Sequence, residues 1–390
     1  MSTRLHQTKW CLLTTLLAAS ALAPASSAAE VRFKFNGGGF GHGVGMPQYG
    51  AYGAARAGWD ATRIVGYFYR GAQLATIQPG AVRALITSGR ARAAVSSAAA
   101  WQIVDEQAQP PTALQLAAGA SYTVTREGAG FALSDQNGVV AARVPGQARL
   151  QPMNADGTLT VGARAYRGAM RLVPAGAGMD LVNVVDIEQY LWGVVPREMP
   201  SKWGDDAAAA LQAQAIAART YAVAGLRPDR PFDLYPDQRS QVYGGVADED
   251  PRTTAAVGAT QGQVLIYDGR PITAFFFSSS GGRTEDVRNV FPSDREMPYL
   301  VSVPDPFDRL YSPHHRWKPT PIFTGTRLGS LLGTGVVRSV KVLERGQSGR
   351  VIRLQLTNRR GIASVRTGAQ IRKALGLRDT LFRVTKAGAP

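Results

Sequence analysis

Cysteine is almost missing from this chain: of 390 residues only Cys11 is one. It sits inside the apolar run Trp10 to Ala23, which follows Arg4, His6 and Lys9 and ends in small residues at Ala28 and Ala29, before Glu30. That order is the one expected of a secretory signal over residues 1–29, and the run is shorter than the ~20 apolar residues a comfortable membrane span needs. A retained N-terminal anchor is the alternative. Gln7, Thr8, Lys9 and Trp10 before Cys11 lack the small residues of a lipid-attachment site, so the cysteine is expected to leave with the signal. The remainder then has no disulfide, no thiol nucleophile and no thiolate ligand, and core burial must stabilise it outside the cytoplasm.

Other shortages exclude further classes. Histidine occurs four times, one copy in the signal, and His314 and His315 are adjacent rather than three or four apart, so a helix would not converge them on one ion. Asp305 and Asp308 could complete a site with them only by accident of folding, and neither metal nor cofactor is expected. The glycine-rich stretch Gly37 to Ala51 has no glycines at i, i+2 and i+5 and no following Gly-Lys-Ser/Thr, which removes dinucleotide and phosphate-loop readings. No Gly-x-Ser-x-Gly elbow is present, which weakens a serine-hydrolase reading. No second apolar run is long enough for a membrane span once the signal is removed.

Acidic residues are also scarce. The chain has 44 Lys and Arg against 28 Asp and Glu, and the part after residue 29 keeps a net charge of +14. Such a surface attracts polyanions. Aromatics and arginines form no groove-reading or base-stacking pattern, so nucleic acid is not an expected partner. Export makes the anionic polymers of a cell envelope the expected one, with the protein secreted or in the periplasm or wall.

What is present reads as an α+β chain of mixed helices and mainly antiparallel sheets. Residues 30–75 hold the Gly-His-Gly segment and a helical stretch around Ala54 to Tyr69. Residues 76–180 alternate short β-prone runs with Gly, Asn and Asp turns and read as a β-rich domain. Residues 181–385 read as the catalytic core, opening on the strand pattern Leu181-Val182-Asn183-Val184-Val185. A helix is expected after Pro200, with Ser201 as cap, Asp205 and Asp206 in its first turns, and Gly225 as its stop. The tail reads as strand, strand and helix over Val336–Leu343, Val351–Leu356 and Ala369–Leu377.

One carboxylate stands out. Glu198, in Val194-Val195-Pro196-Arg197-Glu198-Met199-Pro200, lies between two prolines, after an apolar segment and before a helix. Burial there would raise its pKa and keep it protonated, as a general acid requires. A solvated glutamate favoured by a helix N-terminus is the competing reading. Beyond it, Gln212 and Arg219 are seven apart on one helix face with Tyr221 nearby, either a groove wall or a packed helix. Ser279 and Thr284 lie in a Ser-Ser-Ser-Gly-Gly turn able to hold sugar hydroxyls or simply to bend, and His42 stands between Gly41 and Gly43 as a site residue or a loop histidine bonded to its own backbone.

Taken together, Val194 to Met199, the run Gln212 to Ala222, Gln241-Val242-Tyr243-Gly244-Gly245, the Phe277 to Glu285 turn and Gly41 to Ala51 resemble the stage II sporulation protein D family. Gly349-Arg350-Val351 and Ile371 to Arg378 also look like that family's end. The resemblance implies a peptidoglycan lytic transglycosylase cleaving between N-acetylmuramic acid and N-acetylglucosamine, preferably on strands stripped of stem peptides, with the catalytic acid at Glu198. It implies glycan contacts from Gln212, Arg219, Tyr221, Ser279, Thr284 and His42. Through its modifier relatives it adds a cell-wall amidase as partner and, as the alternative function, non-catalytic stimulation of that amidase. Two features depart from the usual pattern. The Gly-His-Gly segment precedes the other motifs, as in a circular permutation, and Asp233 to Ser240 has no Cys or His, so the zinc held by some members is not carried over.

Overall fold

The computed structural model describes residues 30–78, 80–293 and 296–387. The expected signal, residues 1–29, lies outside them, and no described helix is long and apolar enough to cross a membrane. The fold is α+β as expected, and its sheets are antiparallel with one exception.

The β-rich unit is a pair of six-stranded sheets around one core. Arg92–Ser96, Ser121–Glu127 and Gly130–Ser134 pair in one sheet; Trp101–Asp105, Ala148–Pro152, Ala169–Ala175 and Gly178–Asp186 pair in the other. Alternation along the strands sends Val95, Val124, Phe131 and Leu133 from one side and Trp101, Ile103, Leu150 and Leu172 from the other into a common cluster. The expected boundary at 180/181 falls inside the strand Gly178–Asp186, whose partners on both sides belong to this unit. The reason is visible in its burial: the strand is covered on both faces, so the apolar run at 181–185 extends the second sheet instead of opening a new one.

That strand runs straight into the helix Ile187–Trp192, where Asp186 caps by accepting from the amides of Glu188 and Gln189. The long helix begins later than expected, at Ala208, and runs to Ala224 with Gly225 as its C-cap. Ser201 to Asp205 instead form a 3-10 turn, because the backbone leaves helical geometry at Asp206 and Ala207. Asp206 is thereby freed to pair with Arg56.

The alanine-rich helix lies between two cores. Ala215, Ala218 and Ala222 face the β-rich unit, while Ala210, Leu211, Ala213, Ile216 and Ala217 face a second cluster with the helices Gln48–Arg56 and Ala61–Phe68. Its short side chains let both packings come close. A third core lies in the C-terminal unit, where Val337–Arg345, Val351–Asn358 and Ala363–Thr367 form a sheet under the helix Gly368–Leu375. The expected strand, strand, helix tail thus gains a third strand.

The first and last described strands are neighbours: Arg32–Gly37 pairs antiparallel with Phe382–Ala387, Arg32 opposite Ala387. From this sheet the glycine-rich segment enters the molecule, and Met46–Pro47 pairs in parallel with Phe276–Phe277. Gly43 has φ +90°, and a Cβ there would collide with the Arg350 guanidinium. Gly43→Ala therefore meets both a backbone penalty and a clash, and should lower stability by about 1–3 kcal/mol. A fall in the thermal unfolding midpoint without loss of secondary structure checks it.

Candidate functional site

Glu198 ends the one-turn helix Val195–Glu198, with Pro196 in its first turn; Met199 is extended, as the residue before Pro200 favours. The carboxyl is half-buried at the seam between the β-rich unit and the helical core. Burial raises its pKa, opposed by the Val242 amide, the side chain of Gln48 and the charge of Arg197. Val242 N donates to Oε1 at 3.3 Å. Three separate segments therefore meet at this acid: its own turn, the Gln241–Gly245 loop, and the start of the Gln48–Arg56 helix.

Behind the acid lies a buried relay of polar groups. Tyr190 donates to Gln241 Oε1 at 3.4 Å, and Gln241 Nε2 donates to the Ala218 carbonyl at 3.2 Å. The Tyr243 hydroxyl donates to Asn183 Oδ1 at 2.9 Å, and Asn183 Nδ2 donates to the carbonyls of Arg167 and Ala169. The Gln-Val-Tyr-Gly-Gly motif is thus tied to the long helix by one side chain and to the sheet by another. Burial holds the Tyr190 phenol well above its ordinary pKa, and the charge of Glu198 adds to that.

Two of the expected glycan residues face the wrong way. At about 100° per residue, Gln212 and Arg219 share a side of the long helix, while Gln214 and Tyr221 lie roughly 140–180° from both and Ala218 roughly 100–120°. Ala218 is bonded to the motif beside Glu198, so the acid's side is the Gln214 side. Arg219 is fully buried and donates bidentately to Glu188, at 2.7 Å from Nε and 2.6 Å from Nη2, with further bonds to the carbonyls of Gln263 and Val257. A cation with every donor engaged inside the protein is a fastener between helices. Tyr221 remains on the acid's side: it is half-buried, packs its ring near Phe275 at 6.2 Å, and is hydrogen-bonded to Ser240.

Ser279 and Thr284 are likewise part of the frame. Ser279 is fully buried, donates to Asp308 Oδ1 at 2.7 Å and accepts from Ser312 at 2.7 Å. Thr284 is 1% exposed, accepts from Val303 N at 2.8 Å and donates to backbone carbonyls. Neither has a polar atom facing solvent. His42 accepts from Val44 N at Nδ1, which leaves Nε2 to donate to the Phe276 carbonyl at 3.0 Å. Burial depresses its pKa to about 3, so the imidazole is neutral. It sits among Phe275, Phe277 and Phe291 and lines a cavity of about 900 Å³ with Arg353, Arg372 and Lys373. Glu198 does not line that cavity, so this hollow and the perturbed acid are different places. His314 and His315 diverge, the first toward Arg378 and the second toward Asp308.

Sequence reasoning missed Gln214 and Glu188. Gln214 is fully buried, and neither its Nε2 nor its Oε1 has a hydrogen-bond partner. A fully buried amide without a partner is rare in a packed core and calls for an explanation. Its signal was helical phase: the residue seven before Tyr221 is Gln214. The signal for Glu188 was the charge of Arg219 on an otherwise apolar helix, which demands a carboxylate nearby.

On this α+β scaffold, the stretch that holds Glu198, its short turn and the alanine-rich helix is the one that the stage II sporulation protein family matches, over residues 175–267. The chain carries a domain of that family, as its motifs implied. The match takes in Glu198, Gln214, Tyr221 and Gln241. Stage II sporulation protein D of Bacillus subtilis is 32% identical over 226 residues, 53% of this chain and 62% of that protein. An uncharacterized protein of Brachyspira hyodysenteriae is 35% identical over 147 residues, 37% of this chain and 39% of that one. The amidase enhancer of Bacillus subtilis is 41% identical over 119 residues, 30% of this chain and 15% of the enhancer. The chain therefore spans about three-fifths of these relatives' length at most.

The two buried polar residues of the long helix should respond to substitution with opposite signs. Arg219→Leu leaves Glu188 buried and unpaired and should cost about 3–5 kcal/mol. Gln214→Leu removes an unsatisfied amide and should leave stability equal or raise it, by up to about 1–3 kcal/mol. Urea denaturation of both variants checks the contrast.

Proposed function

We propose that the protein is a peptidoglycan lytic transglycosylase whose general acid is Glu198, acting on glycan strands, preferably those stripped of stem peptides. The observation that carries this reading is the setting of Glu198: burial favours its protonated form while a backbone amide and Gln48 stay at hand for the carboxylate. A group that gives a proton and later takes one back needs both forms accessible.

Glu198 protonates the oxygen leaving with N-acetylglucosamine as the bond to the muramyl anomeric carbon breaks. The carboxylate left behind accepts the proton of the muramyl 6-hydroxyl, whose oxygen closes on that carbon. The products are a 1,6-anhydro end and a free hydroxyl, and Glu198 is protonated again. The substrate supplies the nucleophile, so the second carboxylate of an ordinary glycosidase has no task. Val242 N steadies the intermediate carboxylate. The net charge of +14 after residue 29 holds the protein near an anionic wall and supports a secreted or envelope location.

The second reading is a wall-bound modifier that stimulates an amidase without cleaving glycan. The similarity to an amidase enhancer favours it. Mass spectrometry of denuded glycan after incubation separates the two, since an anhydro end is lighter than a reducing end by the mass of water. Anhydro ends are expected; their absence together with faster amidase action would establish the modifier.

Glu198→Gln should lower product release by about 10²–10⁴-fold with the fold intact. Activity near wild type would remove the assignment. The pH dependence carries a sign. The raised pKa of Glu198 means that native stability held at low pH is lost as pH rises through that pKa, because the ionised form is the one burial penalises. The Gln variant, fixed in the neutral form, should unfold no earlier than wild type at neutral pH, with the difference vanishing in acid. Wild-type activity should fall on the alkaline side of the same titration, above the ordinary glutamate range near ~4.3.

A further inference from the structure

A row of aromatic rings passes the acid and has no part in the chemistry above. Phe40 lies edge-on to His314 at 5.0 Å between centroids, His314 to Tyr49 at 6.2 Å, and Tyr49 to Trp203 at 5.1 Å. Trp203 lies against Tyr52 at 4.5 Å, and Tyr52 edge-on to Tyr311 at 5.4 Å. The six rings come from three distant segments, 40–52, 203 and 311–314, yet each touches the next. The row is tied to Glu198 along the chain at two points: Tyr49 follows Gln48, whose side chain bonds the carboxyl, and Trp203 lies in the turn that follows Pro200 at the end of the acid's helix.

The row is built to be open. Phe40 is 40% and Tyr311 36% exposed at its two ends, Tyr49, Tyr52 and His314 are half-covered between, and Trp203 is the buried base on which Tyr49 and Tyr52 rest. Tyr49, Tyr52 and Trp203 also pack on the helical core, whereas Phe40 and Tyr311 leave ring surface in solvent that burial would have stabilised. The local sequence explains how the row is set. In Gln48-Tyr49-Gly50-Ala51-Tyr52-Gly53, Tyr49 and Tyr52 are three apart and share a helix face. Gly50 and Gly53 share the neighbouring face, and Cβ atoms there would meet Asp305 at 2.6 Å and the side chains of Phe307 and Tyr311 at 2.5–2.6 Å. The glycines let the 305–311 segment close in and bring Tyr311 to Tyr52.

Charged groups flank the rings. The Tyr52 hydroxyl donates to Asp206 Oδ2 at 3.0 Å, Arg56 donates to the same oxygen at 2.6 Å, and Arg378 bonds His314. Ring faces for the C–H side of a pyranose, with donors and acceptors at their edge for its hydroxyls, suit a polysaccharide better than a peptide or a lipid. We infer that this row is the track on which the glycan strand lies while one of its bonds is presented to Glu198. The inference rests on the glycan reading of that site.

The test is binding of the full chain without residues 1–29, carrying Glu198→Gln to prevent cleavage, to denuded peptidoglycan in a sedimentation assay. Phe40→Ala and Tyr311→Ala should each weaken binding about tenfold, as loss of a stacked ring does elsewhere. Phe40→Tyr, which keeps the ring, should restore it. Ile362→Ala, at a 57% exposed apolar residue of the C-terminal unit, should change nothing. Unchanged binding in both ring variants overturns the track, as does an equal loss in the Ile362 variant. That failure is distinct from one of the acid: were Glu198→Gln to cleave like wild type, the acid would be reassigned while the ring result stood.

Discussion

The Arg350 guanidinium is the point through which three parts of the molecule are held. It is 1% exposed and donates twice to Asp379, at 2.9 and 2.7 Å, in a bidentate pair with no exposed carboxylate surface. Its remaining donors reach the carbonyls of Ser280 and Arg283, at 3.0 and 2.8 Å. Gly43 lies against its face, and the Gly43 carbonyl accepts from Glu285 N at 2.7 Å. Burial pushes the Asp379 carboxyl up while Arg350 pulls it down, the balance of a charge that is desolvated but fully paired. Removing either partner would leave an uncompensated ion in the interior, which is far costlier than any single contact at the surface. The C-terminal unit, the Ser-Gly-Gly turn and the Gly-His-Gly loop consequently keep one arrangement.

That arrangement positions the acid at a distance. The glycine-rich segment, pinned at Gly43, pairs at Met46–Pro47 with Phe276–Phe277 and then starts the helix that carries Gln48. Tyr49 N donates to the Ser278 carbonyl, which fixes where that helix begins. From the other direction, the Gln241 amide is tied to the long helix and Val242 N points at Glu198. The carboxyl is therefore set by side chains and amides on segments that have no contact with one another in sequence. Preorganisation of this kind comes from the frame, and Arg219, Ser279 and Thr284 belong to it.

Much of this was legible in the chain and the misreadings share a cause. The α+β class, the glycine stop at 225 and the prominence of Glu198 follow from local spacing, and the prolines at 196 and 200 show directly how stiff the acid's turn is. Polar residues in motifs look functional, which is why Arg219, Ser279 and Thr284 read as glycan contacts in the sequence. A sequence shows that a polar residue is present, but its partner can be anywhere: Glu188 for Arg219, Asp308 for Ser279 and the 301–303 backbone for Thr284. Helical phase could have separated Gln214 from Gln212, since only one of them shares a stripe with Tyr221. The boundary at 180 failed for a related reason, because a strand buried on both faces reads the same whether it closes one unit or opens the next.

The order of the motifs bears on how the site forms. With Gln48 and the glycine-rich loop near the start, and Arg350 and Asp379 near the end, the acid's surroundings depend on contacts separated by most of the chain. The pairing of Arg32–Gly37 with Phe382–Ala387 closes that distance and brings the early segment beside the late one. Each such contact carries a loop-closure cost that grows only slowly with length, so the permuted order is tolerable in stability while it delays assembly. The β-rich unit and its adjoining helices can pack from nearer neighbours, but the Gln48 side of Glu198 is complete only when the early helix has docked on the 275–278 segment. Gln48 and the Val242 amide lower the pKa that burial raises, so the acid's final balance is set by segments before and after it in the chain as well as by its own turn.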